Sequence, residues 1–199
     1  MNNSKPKVFV IAGPNGSGKT TSAKKLLPEI LQCNEYVNAD AVAAALSPFR
    51  PEEVAMLAGR LMLERINHLA VRKDDFAFET TLASRTFIKF LKECKNNGYE
   101  INIIFLWLNS PQLAIQRVKF RVEQGGHNIP QDVITRRYHR SIQNFLTEYS
   151  QIATNWFLYD NCEKESKLIA NKIGNNEAKI IYNVLWHNIN RGLLNENNR

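Results

Sequence analysis

The residues whose types and spacing best define a chemistry lie near the start of the chain, in the run Gly13-Pro14-Asn15-Gly16-Ser17-Gly18-Lys19-Thr20. The run fits the pattern G-x-x-x-x-G-K-[S/T], in which glycines let backbone N–H groups wrap a phosphate chain. In such a loop a lysine at the position of Lys19 reaches the β- and γ-phosphates, and the hydroxyl of Thr20 holds Mg²⁺. The run, extended by Thr21, therefore predicts a binding site for ATP and Mg²⁺.

The segments on either side of this run are those that a phosphate-binding loop needs. Residues 7–12 form a continuous apolar stretch, as expected for a strand that is buried on both faces. Residues 20–31 carry apolar side chains at helical spacing, and the positive N-terminal end of that helix would point at the anion. The alternative, a glycine-rich turn with a chance lysine, does not account for this strand–loop–helix context.

Strands and helices alternate along the rest of the chain. We predict strands at 35–39, 76–79, 101–108, 156–160 and 167–170, and helices at 41–46, 51–69, 84–96, 111–124, 131–149 and 176–190. The buried stripe of the helix that begins at Pro51 is predicted to be Val54, Leu57, Leu61, Ile66 and Leu69. The alternation predicts an α/β fold with a parallel central sheet and helices on both faces. Ligands of such sheets bind at the carboxyl ends of the strands.

The polar residues at or just after predicted strand ends are Asp40, Glu79, Asn109 and Asp160, so they should share one rim with the loop. A kinase needs a carboxylate that accepts the proton of the attacking hydroxyl, and an acid that holds substrate or the water shell of Mg²⁺. Asp40 and Glu79 are the candidates, and Thr80 extends the substrate side. The structural alternatives are an Asp40 that caps the following helix and a Glu79 bonded to neighbouring backbone. The loop upstream favours the chemical roles.

A basic segment at about 112–145 predicts a helix–loop–helix lid that closes over the nucleotide. Arg117 and Arg121 are one turn apart and share a face of the first helix. The polar loop that follows contains His127, which is a candidate contact for the substrate or a surface residue. Metal binding by His127 is not expected, because no partner ligands lie nearby in the sequence.

The second lid helix carries two neighbouring arginines that should differ. Arg137 lies about 60° from Ile134 of the buried stripe on a helical wheel, whereas Arg136 lies nearly opposite and should face solvent. Arg121 and Arg137 are therefore our candidates for neutralising charge on the transferring phosphoryl group. A solvated charged face is the alternative, and it stays open for Arg117 and Arg140.

Composition places the chain among soluble globular proteins. Its 199 residues, 44% hydrophobic and 23% charged, predict one domain over residues 1–199 with a frayed tail at about 192–199. No apolar run approaches the roughly 18 residues that a membrane span needs, and the start lacks a secretion signal. Cys33, Cys94 and Cys162 lack zinc or disulfide spacing, which favours the reducing cytoplasm. The net charge of +7 suits an anionic partner.

These features together resemble the zeta toxins and the related zeta-toxin-domain small-molecule kinases of bacteria. The matching segments, within 7–161, are the phosphate loop, Val-Asn-Ala-Asp40, Phe-Glu79-Thr-Thr, Arg117 to Arg121 leading to Gly-Gly-His127-Asn-Ile-Pro, and Arg136-Arg137-Tyr138. The resemblance implies a three-layer P-loop kinase fold and transfer of the ATP γ-phosphate to a substrate hydroxyl. It implies Lys19 as the loop lysine, Asp40 as the catalytic aspartate and Glu79 as the substrate-side acid. It also implies two lid arginines, for which Arg121 and Arg137 are the candidates.

The same resemblance implies a substrate class, because the best-studied members phosphorylate a UDP-N-acetyl amino sugar. We therefore expect a small-molecule acceptor, most simply a nucleotide sugar, and an antitoxin protein as a further partner. A polynucleotide or nucleoside kinase is an alternative, although nucleic acid is not the expected partner. A nucleotide-binding toxin component held off by an antitoxin is another. A nucleotide-driven switch is disfavoured, because Phe105-Leu-Trp-Leu-Asn109 ends without an acid and the chain has no Asn-Lys-x-Asp.

Overall fold

The computed structural model describes residues 5–126 and 128–196, with side chains as far as Arg191. The strands are β1 (Lys7–Ala12), β2 (Tyr36–Val37), β3 (Phe76–Thr80), β4 (Glu100–Trp107), β5 (Asn155–Asp160), β6 (Lys167–Ile173) and β7 (Lys179–Ile180). The helices are α1 (Lys19–Glu29), α2 (Ala39–Leu46), α3 (Ala55–Arg72), α4 (Thr86–Asn96), α5 (Pro111–Glu123), α6 (Gln131–Asn144), α7 (Ser150–Ile152) and α8 (Asn183–Glu196). A 3₁₀ turn, Pro51–Val54, precedes α3, and a π-helical turn, Phe145–Tyr149, joins α6 to α7.

The strands form one seven-stranded sheet in the order β2-β3-β1-β4-β5-β6-β7. Strands β1 to β5 pair in parallel, which confirms the predicted α/β architecture. Strands β6 and β7 extend the sheet with antiparallel pairing, which the sequence analysis did not predict. The reason is the short connections 161–166 and 174–178, because a parallel crossover needs roughly a dozen residues or more.

Helices cover both faces of the sheet, as predicted. On β1 the side chains alternate, so that Val8 and Val10 join a core with residues of α3, α4 and α6. Phe9 and Ile11 point to the other face and pack with residues of α1. The near-continuous apolar composition of β1 follows from this burial on two sides.

Helix α3 turns a different face to the core from the one predicted. Its buried residues are Ala58, Met62, Ile66 and Leu69, so the last two predicted positions are confirmed. Leu57 and Leu61, however, are 47% and 36% exposed. Small Ala58 and flexible Met62 occupy the buried face of the helix instead, so hydrophobicity alone placed the first half of this stripe wrongly.

The predicted helix at 176–190 is also wrong at its start. Ile180 belongs to β7 and pairs with Ala170 of β6, and the helix begins at Asn183. Apolar residues at 180–185 suit either a short strand or a helix, and the partner strand decides between them. Among the described residues, no helix is both long and apolar enough to cross a membrane.

Candidate active site

The predicted phosphate loop joins β1 to α1 and is shaped by its glycines. Gly13 has φ 139°, and a Cβ on it would lie 2.3 Å from the carbonyl oxygen of Leu106. Gly18 has φ 84°, and a Cβ there would lie 2.9 Å from Nδ2 of Asn161. Side chains at both positions are excluded by backbone conformation and by neighbouring protein atoms. The loop is therefore held in a bare-backbone form that suits a phosphate chain.

Lys19 lies at the centre of the site and is only 7% exposed. Its ammonium donates to the carbonyl of Pro14 at 2.9 Å and lies 4.0 Å from Oε1 of Glu79. Burial is the main influence on the pKa of Lys19 and lowers it, while the carboxylates of Glu79 and Asp40 raise it. The charges of Arg121 and Arg137 lower the pKa again. Acids and arginines from four parts of the chain therefore act on one ammonium group.

Glu79 is fixed by three hydrogen bonds to a single carboxylate oxygen, Oε2. The donors are the hydroxyls of Thr20 at 2.8 Å and Tyr36 at 2.6 Å, and Nδ2 of Asn38 at 2.9 Å. Burial raises the pKa of the Tyr36 phenol, and the neighbouring Glu79 charge raises it further. The tyrosine therefore stays protonated and serves as a donor. The acid of β3 is thus bonded directly to the loop threonine.

Asn38 joins the two candidate acids. Its Oδ1 accepts from the backbone N–H groups of Asp40 at 2.8 Å and Ala41 at 3.2 Å, which makes Asn38 the N-cap of α2. The alternative that Asp40 caps this helix is therefore wrong. Asp40 itself is exposed and lies in the first turn of α2. Its carboxylate raises the pKa of Lys19.

Sequence reasoning did not assign a site role to Tyr36 or Asn38. The usable signal was strand alternation, because residues two apart at a strand point to the same side. Because Tyr36 and Asn38 are two apart, and Asn38 is two residues before Asp40, that spacing places two donors at the rim where Glu79 was already expected. The structure shows Asn38 donating to Tyr36 as well, at 3.2 Å.

Arg121 lies in the last turn of α5, where the glycine pair of the lid loop folds back over it. The N–H of Gly126 donates to the carbonyl of Arg121 at 2.9 Å. A Cβ on Gly126 would lie 2.6 Å from Cγ of Arg121, so this loop position is restricted to glycine by contact with the arginine itself. The predicted substrate contact His127 lies outside the described residues.

The two neighbouring arginines of α6, Arg136 and Arg137, are both exposed. The charge of Arg137 is among those that lower the pKa of Lys19, and a direct contact of Arg137 with the reacting phosphate stays a prediction. Ile134 is buried on the inner face of the helix, as the wheel requires. Arg137 thus resembles Arg136 in its exposure, and the difference between the two arginines that the helical wheel predicts stays a prediction.

Arg117 has a structural role. Its guanidinium donates to the carbonyls of Asn161 at 2.8 Å and Cys162 at 2.6 Å, and so ties α5 to the segment after β5. Nδ2 of Asn161 donates in turn to the carbonyl of Ser17 at 2.7 Å. This clamp supports the phosphate loop from behind. It was not predicted, because Asn161 and the loop are far apart in the chain.

Two further residues, Thr80 and Thr21, were predicted to contact the ligands. Oγ1 of Thr80 accepts from the N–H of Leu82 at 3.1 Å, so the hydroxyl shapes the turn after β3 and keeps its proton for another partner. Thr21 is exposed in the first turn of α1. Both remain predictions as ligand contacts.

The residues present fit a magnesium-bound triphosphate. Mg²⁺ is commonly held by one or two protein oxygens together with phosphate oxygens and water. Thr20 and Glu79 place a hydroxyl beside a carboxylate at the loop. Within 5–126 and 128–196, no group of three or more His, Cys, Asp or Glu could hold a metal by itself. Oγ of Ser17 and Oδ1 of Asn15 are buried in the same loop without a hydrogen-bond partner among the described residues.

Solved structures with the same fold include one complex with ATP and one toxin-antitoxin system. A chain of the AvrRxo1-ORF1:AvrRxo1-ORF2 complex with ATP superposes with a TM-score of 0.77 at 17% identity, covering 94% of this chain. This chain spans 64% of the length of that one. The PezAT toxin-antitoxin system of Streptococcus pneumoniae gives a TM-score of 0.64 at 16% identity, covering 98% of this chain and 88% of that one. At these identities the likeness concerns the fold.

Sequence comparisons give a relative and a family. An uncharacterized protein of Haemophilus influenzae is 29% identical over 133 residues, covering 66% of this chain and 92% of that protein. The family model described as Zeta toxin matches residues 1–173, which include the phosphate loop, both candidate acids and the lid. The chain belongs to the zeta toxin family.

Proposed function

We propose that this protein is an ATP-dependent kinase that transfers the γ-phosphate to a hydroxyl of a small molecule. The observation that carries the proposal is the arrangement around Lys19, where two carboxylates and two arginines act on one buried ammonium in a phosphate loop. Phosphoryl transfer needs this mixture, because positive groups stabilise the charge of the transferring group while a carboxylate accepts the proton of the attacking hydroxyl.

Asp40 is the proposed base because its position suits an incoming substrate. Asp40 is exposed and lies in the first turn of α2, at the rim of the sheet. Its negative charge raises the pKa of Lys19. An acceptor hydroxyl can therefore approach Asp40 from solvent. Glu79, whose side chain is 10% exposed, is far less accessible.

Glu79 is better suited to the metal than to the acceptor. Its Oε2 accepts from Thr20, the residue that we propose as a ligand of Mg²⁺. Mg²⁺ bound there would neutralise charge on the β- and γ-phosphates. The role of substrate-side acid that the family resemblance implied for Glu79 thus has less support than a role beside the metal.

The acceptor that the family relation favours is a UDP-N-acetyl amino sugar. The test is ATP turnover with Mg²⁺ against a panel of UDP-sugars, nucleosides and 5′-hydroxyl oligonucleotides, with the phosphorylated product identified by mass. We expect a phosphorylated UDP-N-acetyl amino sugar. Product from oligonucleotides or nucleosides alone would favour the other kinase classes, and the lack of product from any acceptor would contradict the proposed activity.

A protein partner is part of the proposal. The similar structures were solved as the AvrRxo1-ORF1:AvrRxo1-ORF2 complex and in the PezAT toxin-antitoxin system, which supports an antitoxin-like partner for this chain. Size-exclusion chromatography of the protein with extract of its own cells tests this, with a shift to larger size as the expected result.

The two neighbouring lid arginines should differ in their effect on the reaction. Arg137→Ala is expected to lower kcat by at least about tenfold, or about 1.4 kcal/mol of transition-state stabilisation, because its charge reaches the Lys19 site. Arg136→Ala, next to it on the exposed surface, should change kcat by less than about twofold. Steady-state rates at saturating ATP measure both.

Arg136→Ala is the matched control, since it removes the same charge from the same helix turn. A large loss with Arg136→Ala and none with Arg137→Ala would show that the placement of Arg137 towards the loop is wrong. Equal losses would indicate an effect of net charge rather than position.

A further inference from the structure

Side chains from the end of α6 and from the π-helical turn bind the segment that follows β3. Ser141 Oγ donates to the carbonyl of Thr81, and Nδ2 of Asn144 donates to the carbonyl of Leu82 at 2.8 Å. The phenol of Tyr149 donates to the carbonyl of Ser84 at 2.7 Å. We call Ser141, Asn144 and Tyr149 the carbonyl comb, because they bind three carbonyls of one short segment.

The comb depends on the π-helical turn Phe145–Tyr149. In a regular α-helix Tyr149 would point about 80° away from Ser141, whereas residue 148 would lie within about 20° of it. A π-turn inserts one extra residue, so Tyr149 takes the direction that residue 148 would otherwise have. Such turns are rare and occur often at functional sites. Here the turn makes a third hydrogen bond to the same segment.

The helix that carries the comb is firmly packed. Phe145 stacks on Phe105 of β4, with ring centroids 4.4 Å apart, and meets Trp156 of β5 at 5.8 Å. Tyr138 donates to the carbonyl of Leu108 at 2.7 Å. This half of the predicted lid is therefore part of the core, and its backbone cannot swing freely with a closing loop.

The segment bound by the comb is conformationally demanding. Leu82 is fully buried and has φ 57°, which is uncommon for a residue other than glycine. Its N–H donates to Thr80 Oγ1 while its carbonyl accepts from Asn144. The cost of this conformation is offset by bonds on both sides of the residue. The segment follows closely on Glu79, which lies two residues before Thr81.

The comb thus connects two groups of the site. Arg137 is one helical turn before Ser141, and Glu79 is two residues before the first comb carbonyl. We propose that Ser141, Asn144 and Tyr149 are positioning residues for phosphoryl transfer, which set the distance between Arg137 and Glu79 across the phosphate loop. This inference rests on the proposed kinase function. Small displacements of such groups cost up to about 10²-fold in rate.

Tyr149→Phe is the sharpest variant, because it removes one hydroxyl and keeps the packed ring. We expect kcat to fall about fivefold or more, while the Kd for ATP changes by less than about twofold, since the phosphate loop is untouched. Asn144→Ala should behave in the same way. Burial raises the pKa of Tyr149 to about 12, so the phenol remains a donor at all assay pH values.

Tyr99→Phe is the matched control. Its phenol is also buried and donates to backbone carbonyls, including that of Asp74 at 3.0 Å, but it lies just before β4, at the amino ends of the parallel strands and not at the carboxyl ends where the site is. Both variants should lower the melting temperature to a similar extent. A merely structural role for Tyr149 predicts equal kcat for the two variants, and that result would overturn the proposal.

A double-mutant cycle distinguishes positioning of Arg137 from a general effect. If the comb acts through Arg137, Tyr149→Phe should lower kcat by less than about twofold in an Arg137→Ala background. Additive losses would contradict the proposal. A third outcome separates the two proposals. If Lys19→Ala abolishes turnover but Tyr149→Phe leaves it unchanged, the kinase function is upheld and the positioning role of the comb is contradicted.

A readout without turnover keeps the two proposals distinguishable. Hydrogen exchange of the amides of 80–86 and 131–140 should increase in both Asn144→Ala and Tyr149→Phe, and exchange at 13–20 should not. Wild-type protein that phosphorylates no acceptor would contradict the kinase function alone. Unchanged exchange in both segments would contradict the comb, whatever the substrate.

Discussion

Replacement of Lys19 by alanine is expected to reduce phosphoryl transfer by at least about 10³-fold, which corresponds to ~4 kcal/mol of transition-state stabilisation. Lys19 brings a buried ammonium to the phosphate loop, where Pro14 and Glu79 hold it. Arg121 and Arg137 are separate groups, which belong to the lid helices α5 and α6. They cannot take the position between the loop and β3 when Lys19 is removed.

Loss of the ammonium must be separated from loss of packing, since Lys19 is almost fully buried. Lys19→Met keeps the length of the side chain without its charge and should be as inactive as Lys19→Ala. Lys24→Ala removes an exposed lysine from the same helix and should keep full activity. The rate of product formation at saturating ATP is the measurement. Near-wild-type activity of Lys19→Met would refute the assignment of the phosphate loop.

Replacement of Asp40 by asparagine is expected to lower the transfer rate by roughly 10²–10⁴ with nearly normal ATP affinity. Asparagine has the same shape but cannot accept the proton of the acceptor hydroxyl. The fold should be little affected, because Asn38 and not Asp40 caps α2. Loss of a carboxylate from the first helical turn costs ~0.3–1 kcal/mol, or a fall of at most about 4 °C in melting temperature.

Asp132→Asn is the matched control for Asp40→Asn, because it makes the same change in the first turn of α6. It should lower the melting temperature by a similar amount and leave the rate unchanged. Rate, ATP affinity and melting temperature are best measured on one sample of each variant. Unchanged turnover in Asp40→Asn would rule out the base, and lost ATP binding would move Asp40 to a structural or metal role.

The phosphate loop and the rim of acids were readable from the sequence because both follow from local order. A strand, a glycine loop and a helix in succession define where the loop lies. The carboxyl ends of parallel strands lie on one edge, so Asp40 and Glu79 had to meet near Lys19 once the α/β pattern was recognised. Neither inference required knowledge of side-chain packing.

The sequence-based predictions that are wrong concern elements whose secondary structure or buried face depends on partners elsewhere in the chain. Leu57 and Leu61 are exposed because Ala58 and Met62 occupy the buried face of α3 instead, and periodicity does not reveal which apolar face fits. Ile180 is in a strand because β6 offers it a partner. Pairing and fit are properties of the assembled sheet, and short apolar runs are ambiguous without them.

The sequence by itself indicated the α/β class with its parallel strands, the family, and the candidate groups Lys19, Asp40 and Glu79, because motif spacing and the alternation of strands and helices along the chain are local features. The tertiary structure alone decided how those groups are held. In the structure Glu79 accepts hydrogen bonds from Thr20 and Tyr36, and Asn38 is the N-cap of α2. Arg117 binds the backbone carbonyl of Asn161 after β5. The tertiary structure also placed Tyr149 in line with Ser141 through a π-turn. Hydrogen bonds between residues distant in sequence depend on exact approach within about 3 Å, which no pattern of residue types specifies.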